Sequence, residues 1–231
     1  MRSREPILAA PLSFFAGNVH ARNEDVADKE VTPLAAAFRP GRLAAVLFIT
    51  VVAAGCTTAR YTPVTRYALE PEVRVSEVGA LPTTLGVRTI EAARPYKQRV
   101  VYRDSGFVVG SYDTIEWAEL PADVITRTLI DAIAAAHRFK DVGNASNLPS
   151  PDLILTGTLR RFDEVHTTDP WAAECEVRLE LRDIQQPEAL WAATLTATEL
   201  LDRNQTSALP AAMSRAVAKI VKEAVEAIVS R

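Results

Sequence analysis

The run Val52-Ala53-Ala54-Gly55-Cys56 places a thiol directly behind three small residues. Side chains that small let an extended chain enter a narrow peptidase cleft, and the cysteine that follows offers a sulfur to which lipid can be joined as a thioether. Ahead of it stand the positive stretch Arg39-Pro40-Gly41-Arg42 and then Leu43 to Ala54 without a charge. About a dozen apolar residues after a short positive region fit the core of a signal peptide, and fall short of the ~20 that a resident membrane helix needs. The expected cut lies just before Cys56. Residues 1–38 mix charge with apolar patches, whereas signal peptides begin close to their positive region. A true start at Val31, if its codon is GTG, would account for them. Residues 1–55 therefore read as leader and signal segment, with no fold to predict.

Val52-Ala53-Ala54-Gly55-Cys56 resembles the lipobox of bacterial lipoproteins, departing from it in Ala53, where Leu is usual. A disulfide between Cys56 and Cys175, the two cysteines of the chain, would be the first thought for an exported protein. A thioether on Cys56 uses up that sulfur, which leaves Cys175 as a lone thiol reading as a small buried hydrophobe.

Other residues that could do chemistry do not assemble into a constellation. His20, His137 and His166 have no ligand partner at helical spacing, and there is no Cys-x-x-Cys, so a metal site has no support. Neither a glycine-rich phosphate loop nor a serine nucleophile elbow occurs. Glu116, Glu119 and Asp123 cluster where a helix should begin, and read as solvated surface rather than an acid–base pair. The aromatics Tyr102, Phe107, Tyr112 and Trp117 crowd into sixteen residues of a chain that is 6% aromatic. Core and hairpin packing is the simpler role for Phe107 and Trp117. Contact with a partner or with lipid is the alternative for all four, because Tyr and Trp suit half-apolar, half-wet interfaces.

Charge narrows the partners. Taking the six basic and five acidic residues of positions 1–55 from the chain's 26 and 29 leaves 20 basic against 24 acidic, a mildly acidic body. Such a body is poorly suited to generic capture by anionic lipid as its anchor, and no basic stripe marks a nucleic-acid footprint.

These residues must be carried on regular elements. Residues 56–82 look like a lipidated tether ending in a first extended piece, Arg66 to Pro71, with residues 83–231 as the domain proper. Leu85 to Ile90 is a β-branched strand, and Val100–Arg103 and Phe107–Tyr112 flank Asp104-Ser105-Gly106 as a hairpin would. Pro121 opens a helix whose buried face carries Ile125, Leu129 and Ile133, with Phe139 and Val142 extending the apolar side to Gly143. Strands follow at 152–163, at Glu174 to Arg182, where Cys175, Val177, Leu179 and Leu181 alternate with charged residues, and at 190–200. Leu209 to Val229 is a second amphipathic helix. Strands with one wet face and two amphipathic helices predict an α+β fold, a two-layer sandwich of a mainly antiparallel sheet covered by both helices.

In this order, Tyr67-Ala68-Leu69, Leu85-Gly86-Val87, Arg94-Pro95-Tyr96, Val101-Tyr102-Arg103, Tyr112, Glu116-Trp117-Ala118-Glu119-Leu120-Pro121, Leu153 to Gly157, Phe162 and Trp191 are similar to the ABC-type transport auxiliary lipoproteins, the PqiC-like group. The likeness spans roughly residues 60–229. It implies a non-enzymatic accessory lipoprotein of a transport system that pairs an ABC transporter with an MCE-type substrate-binding protein and moves lipid between membranes. It further implies lipid on Cys56 as the only attached group, outer-membrane residence facing the periplasm, and docking on the MCE protein or self-assembly into a ring. Thr57 agrees with that location, since it is not the Asp that commonly retains lipoproteins in the inner membrane. A periplasmic lipid carrier with an apolar pocket is the rival expectation, and an enzyme a distant third.

Overall fold

In the computed structural model, which describes residues 62–105, 107–186 and 188–231, the elements in chain order are β1 (Thr65–Tyr67), β2 (Leu81–Val87), β3 (Glu91–Ala92), β4 (Arg99–Ser105), β5 (Val108–Trp117), α1 (Pro121–Ala135), β6 (Phe139–Asn144), β7 (Leu153–Val165), β8 (Ala172–Asp183), β9 (Ala189–Leu200) and α2 (Leu209–Val229). Strand β7 organises the sheet. Along one edge it pairs antiparallel with β8, which pairs in turn with β9. Its other edge is shared in succession by β2, β3 and β4, all parallel to it. Beyond these, β6 adds to β2, β5 closes the hairpin on β4, and β1 lies parallel to β5. Most of the paired length is antiparallel, as expected, and the parallel part comprises β7 with its three shorter neighbours, β2 with β6, and β1 with β5.

The period-two pattern of β8 decides which face is covered. Cys175, Val177, Leu179 and Leu181 are fully buried, and across the ladder they meet Phe162, Leu159, Gly157 and Leu155 of β7. Helix α2 lies over β8 and β9, burying Met213, Val217, Ile220, Ala224 and Ile228, while α1 lies beside it against β2, β3 and β6. One irregularity at Arg160–Arg161 resets the alternation of β7, so that Phe162 still points into this core, edge-on to Trp117 at 5.4 Å. The two-layer α+β sandwich is the architecture found.

Two hydroxyls inside the helices tie them to crossing chain. Thr126 in α1 donates to the Ala122 carbonyl at 2.7 Å and accepts from the Ile90 N–H at 3.0 Å. Ser214 in α2 does the same with the Pro210 carbonyl (2.7 Å) and the Glu70 N–H (3.0 Å). Each occupies a hydroxyl that back-bonds its own helix and gives a backbone donor the acceptor it lacks.

Two expectations change. The first helix does not continue through Phe139 and Val142. It ends after Ala135, and His137 turns the chain in a left-handed conformation, φ 52°. Phe139 and Val142 then sit in β6, paired with β2 and partly buried against the core. Their three-residue spacing suited a helix, but the sheet edge gave them a partner. The tether also shortens. Tyr67 is in a strand, Leu69 is buried, and Val73 and Val75 pack against the core, so residues 65–75 belong to the body. Apolar residues at 67, 69, 73 and 75 had a surface to cover.

Candidate functional site

Strand alternation sends consecutive side chains to opposite faces, and at Asp163-Glu164 near the end of β7 both of those side chains are carboxylates with no exposure to solvent. Such charges persist only when each is answered. Asp163, on the face away from the helices, takes two hydrogen bonds on Oδ2 from Arg103, at 3.1 Å from Nε and 2.8 Å from Nη2. Tyr96 closes over this pair; burial, reinforced by the charge of Asp163, pushes its phenol up to about 12. Glu164 faces the helix layer. Its Oε2 accepts from the Tyr112 hydroxyl at 2.7 Å, lies 3.1 Å from the Thr206 hydroxyl, and is 3.3 Å from His166 Nε2.

Around Glu164 stands an aromatic stack. The Tyr102 and Tyr112 rings tilt against each other at 4.8 Å, and His166 lies between Tyr102 (5.4 Å) and Trp171 (3.8 Å), close to parallel with both. Nδ1 of His166 meets Asp104 at 2.5 Å. Three separate pieces of chain converge here: the β4–β5 hairpin, the end of β7 with the loop after it, and the turn before α2. Asn204 fastens the last two, accepting from the Trp171 N–H at 2.8 Å and donating to Asp169 at 3.1 Å. Gly110 makes the hairpin's share feasible. It opposes Tyr102, whose ring lies over it so closely that a Cβ there would fall 2.3 Å from Cζ.

The order Asp104–His166–Tyr112 has the outline of a relay, but its chemistry runs the other way. Burial raises the Tyr112 phenol well above its ordinary value, and the hydrogen bond it donates to Glu164 adds to the rise, although Thr206 opposes it. That keeps the proton on, the reverse of an activated nucleophile. Cys175 is likewise held as a thiol by full burial. Among the described residues no group of His, Cys, Asp and Glu is arranged to hold a metal ion. What the cluster does is lock the hairpin to the body and set aromatic rings with polar tips at one end of the sheet.

The residues singled out from sequence part company here. Tyr102 and Tyr112 come together in the stack. Trp117 is buried at the far end of β5 against Phe162. Phe107 is a correction to the packing role expected of it: it stands fully exposed at the hairpin tip, beside Val108 and Val109, which are about half exposed. A two-stranded tip projecting past its neighbours has nothing to pack on. Cys56 lies outside the described residues. Glu164, His166, Trp171 and Thr206 were not foreseen.

The grooves in the surface are shallow and edged with charge. One, of about 620 Å³, runs along Arg94, Lys97, Arg99, Val101, Val109 and Glu116. Others of about 470 and 490 Å³ are lined by Glu70, Glu72 and Arg215, and by Glu70, Arg127 and Asp131. No helix among the described residues is long and apolar enough to cross a membrane.

Comparison with known proteins adds three findings. The family model for the ABC-type transport auxiliary lipoprotein component matches residues 67–225. A crystal structure of a Xanthomonas campestris protein is similar at 23% identity and a TM-score of 0.64, over 72% of this chain and 95% of that one. An uncharacterized protein of known crystal structure is similar at 15% identity and a TM-score of 0.58, over 72% and 99%. At these identities the two structures speak to the fold alone. No match was found among curated proteins.

Proposed function

The chain belongs to the ABC-type transport auxiliary lipoprotein family, and from that membership we propose that it serves as a non-enzymatic outer-membrane lipoprotein that docks on the MCE-type substrate-binding protein of an ABC transport system. Lipid on Cys56 holds it to the membrane facing the periplasm, and the α+β body makes the contact, as single copies or as a ring.

The observation that carries docking over carriage is the filled interior. Leu85, Leu129, Ile133, Leu155, Leu159, Leu179 and Leu181 occupy the space between sheet and helices with no exposure. A carrier needs a concave, mostly apolar chamber for its ligand. The grooves described above are instead open and rimmed with charge, which suits a surface that meets another protein.

Two measurements test the proposal. Cys56→Ala should leave the body folded, judged by an unchanged thermal unfolding midpoint, yet move it from the membrane fraction to the soluble one; retention on the membrane would end the lipid-anchor reading. Crosslinking in the native envelope should join the wild-type body to the MCE-type protein. A delipidated body that instead carries stoichiometric phospholipid through purification would favour the carrier.

A further inference from the structure

Strand β1 fixes the side from which the chain enters the body. It runs parallel to β5, with Thr65 opposite Ile115 and Tyr67 opposite Trp117. Strand β5 runs away from the hairpin tip, from Val108 to Trp117. Followed toward its N-terminal end, β1 therefore points toward the tip. Seven residues separate Ile115 from Val108, about 23 Å of strand at ~3.3 Å per residue. The nine residues from Cys56 to Thr65 can reach at most roughly 30 Å. That reach is enough to cover the distance.

The tip is built for an apolar medium. Phe107, Val108 and Val109 are consecutive and exposed, Phe107 completely. Single apolar residues on a surface are ordinary, but a contiguous apolar point on a projecting hairpin marks a contact. Behind it come the half-buried rings of Tyr102, Tyr112 and Trp171, the residue types that settle at the headgroup level of a bilayer. Leu200, also exposed, neighbours Trp171 through the pairing of Ala172 with Leu200. From Asp104 to Asp113 there is no Lys or Arg, so the tip segment itself carries no cation to draw anionic lipid.

We propose that the β4–β5 hairpin tip is a second membrane contact, inserting Phe107, Val108 and Val109 into the bilayer that holds the lipidated Cys56, with Tyr102, Tyr112 and Trp171 at its headgroup level. It rests on the lipid-anchor reading above. Two points of attachment, one covalent and one a wedge of side chains, would fix how the body faces the periplasm, where a lone anchor leaves it free to tumble.

The test uses the processed, lipidated protein on phosphatidylcholine vesicles, carrying a nitroxide at Phe107→Cys or, at the opposite end of the sheet, at Ile184→Cys. Cys175 is fully buried and Cys56 blocked, so the label goes to the new thiol. At position 107, accessibility to oxygen should rise several-fold and accessibility to a water-soluble nickel chelate should fall on vesicle binding, while position 184 stays open to the chelate. Added phosphatidylglycerol should change neither. If both reagents are excluded at 107, the tip is covered by protein and the proposal is overturned; if both reach it while the protein floats with vesicles, the tip is free in water and the proposal is equally overturned. A protein that fails to float overturns the anchor itself, a separate outcome.

Discussion

Adjacent buried carboxylates show what single residues contribute here. Asp163 and Glu164 point to opposite faces, and a tyrosine stands against each. Both phenols are raised, Tyr96 to about 12, first by burial and then by the neighbouring carboxylate. A phenol whose folded value lies above the unfolded value of about 10 contributes stability that is fully present below pH 10 and is lost as the pH rises through the folded value. The free energy of unfolding should thus hold steady to about pH 9.5 and fall between about pH 10 and 12. In a Tyr96→Phe, Tyr112→Phe variant the fall should be shallower, while at pH 7 stability drops by about 1–3 kcal/mol for each carboxylate left short of a donor. Urea unfolding across that pH range checks both. Little of this was legible in the sequence. Tyr102 and Tyr112 stood out by density, but Glu164 read as the end of a strand, and Thr206 and His166 lie 94 and 54 residues from Tyr112. Contacts at such separations leave no local spacing to detect.

Among the elements, the long periodic ones were legible because their pattern is imposed by a single buried face. Strand β8 alternates from Ala173 to Arg182, and α2 spans Leu209 to Val229 as its stripe predicts. Boundaries depend on local conformation and were harder. The end of α1 turns on His137, whose positive φ suits glycine better than a residue with a Cβ. His137→Gly should therefore stabilise the protein by up to about 1 kcal/mol, seen as a rise of a few degrees in the thermal midpoint. Were helix continuation through Phe139 the true state, the same change would destabilise it, since glycine in a helix interior costs about 1 kcal/mol. Thr126 makes the complementary case. Thr126→Val keeps the shape of α1 but leaves the buried Ile90 N–H without its acceptor, a loss of about 1–3 kcal/mol. Amide exchange at Ile90 should accelerate well beyond that of its neighbours in β3, whereas a purely steric effect of the substitution would spread through α1.

At the scale of the whole molecule, the extent of the body decides how the proposed lipid anchor would work. A flexible linker up to residue 82 would leave the domain at the end of a long leash. The chain instead joins the sheet at Thr65, buries Leu69, and is pinned at Glu70 by Ser214 of α2. Burying one apolar side chain of that size is worth roughly 1.5–3 kcal/mol. The adjoining strand and the packing of Tyr67, Val73 and Val75 add to it. Deleting residues 62–76 should therefore lower the unfolding free energy by at least about 2 kcal/mol and expose Ser214 and its surroundings, measurable as a lower urea midpoint and faster amide exchange at the start of α2. If the segment were only a tether, the deletion would change the reach of the protein and leave its midpoint untouched. The difference bears on mechanism. If Cys56 carries the lipid, as proposed above, the eight residues between it and β1 confine the body to within about 30 Å of the anchor. That short span gives a surface contact a high effective concentration, so even a weak one would add appreciably to attachment. A leash of twenty-six residues would dilute that gain, and would let the domain turn any face toward its partner.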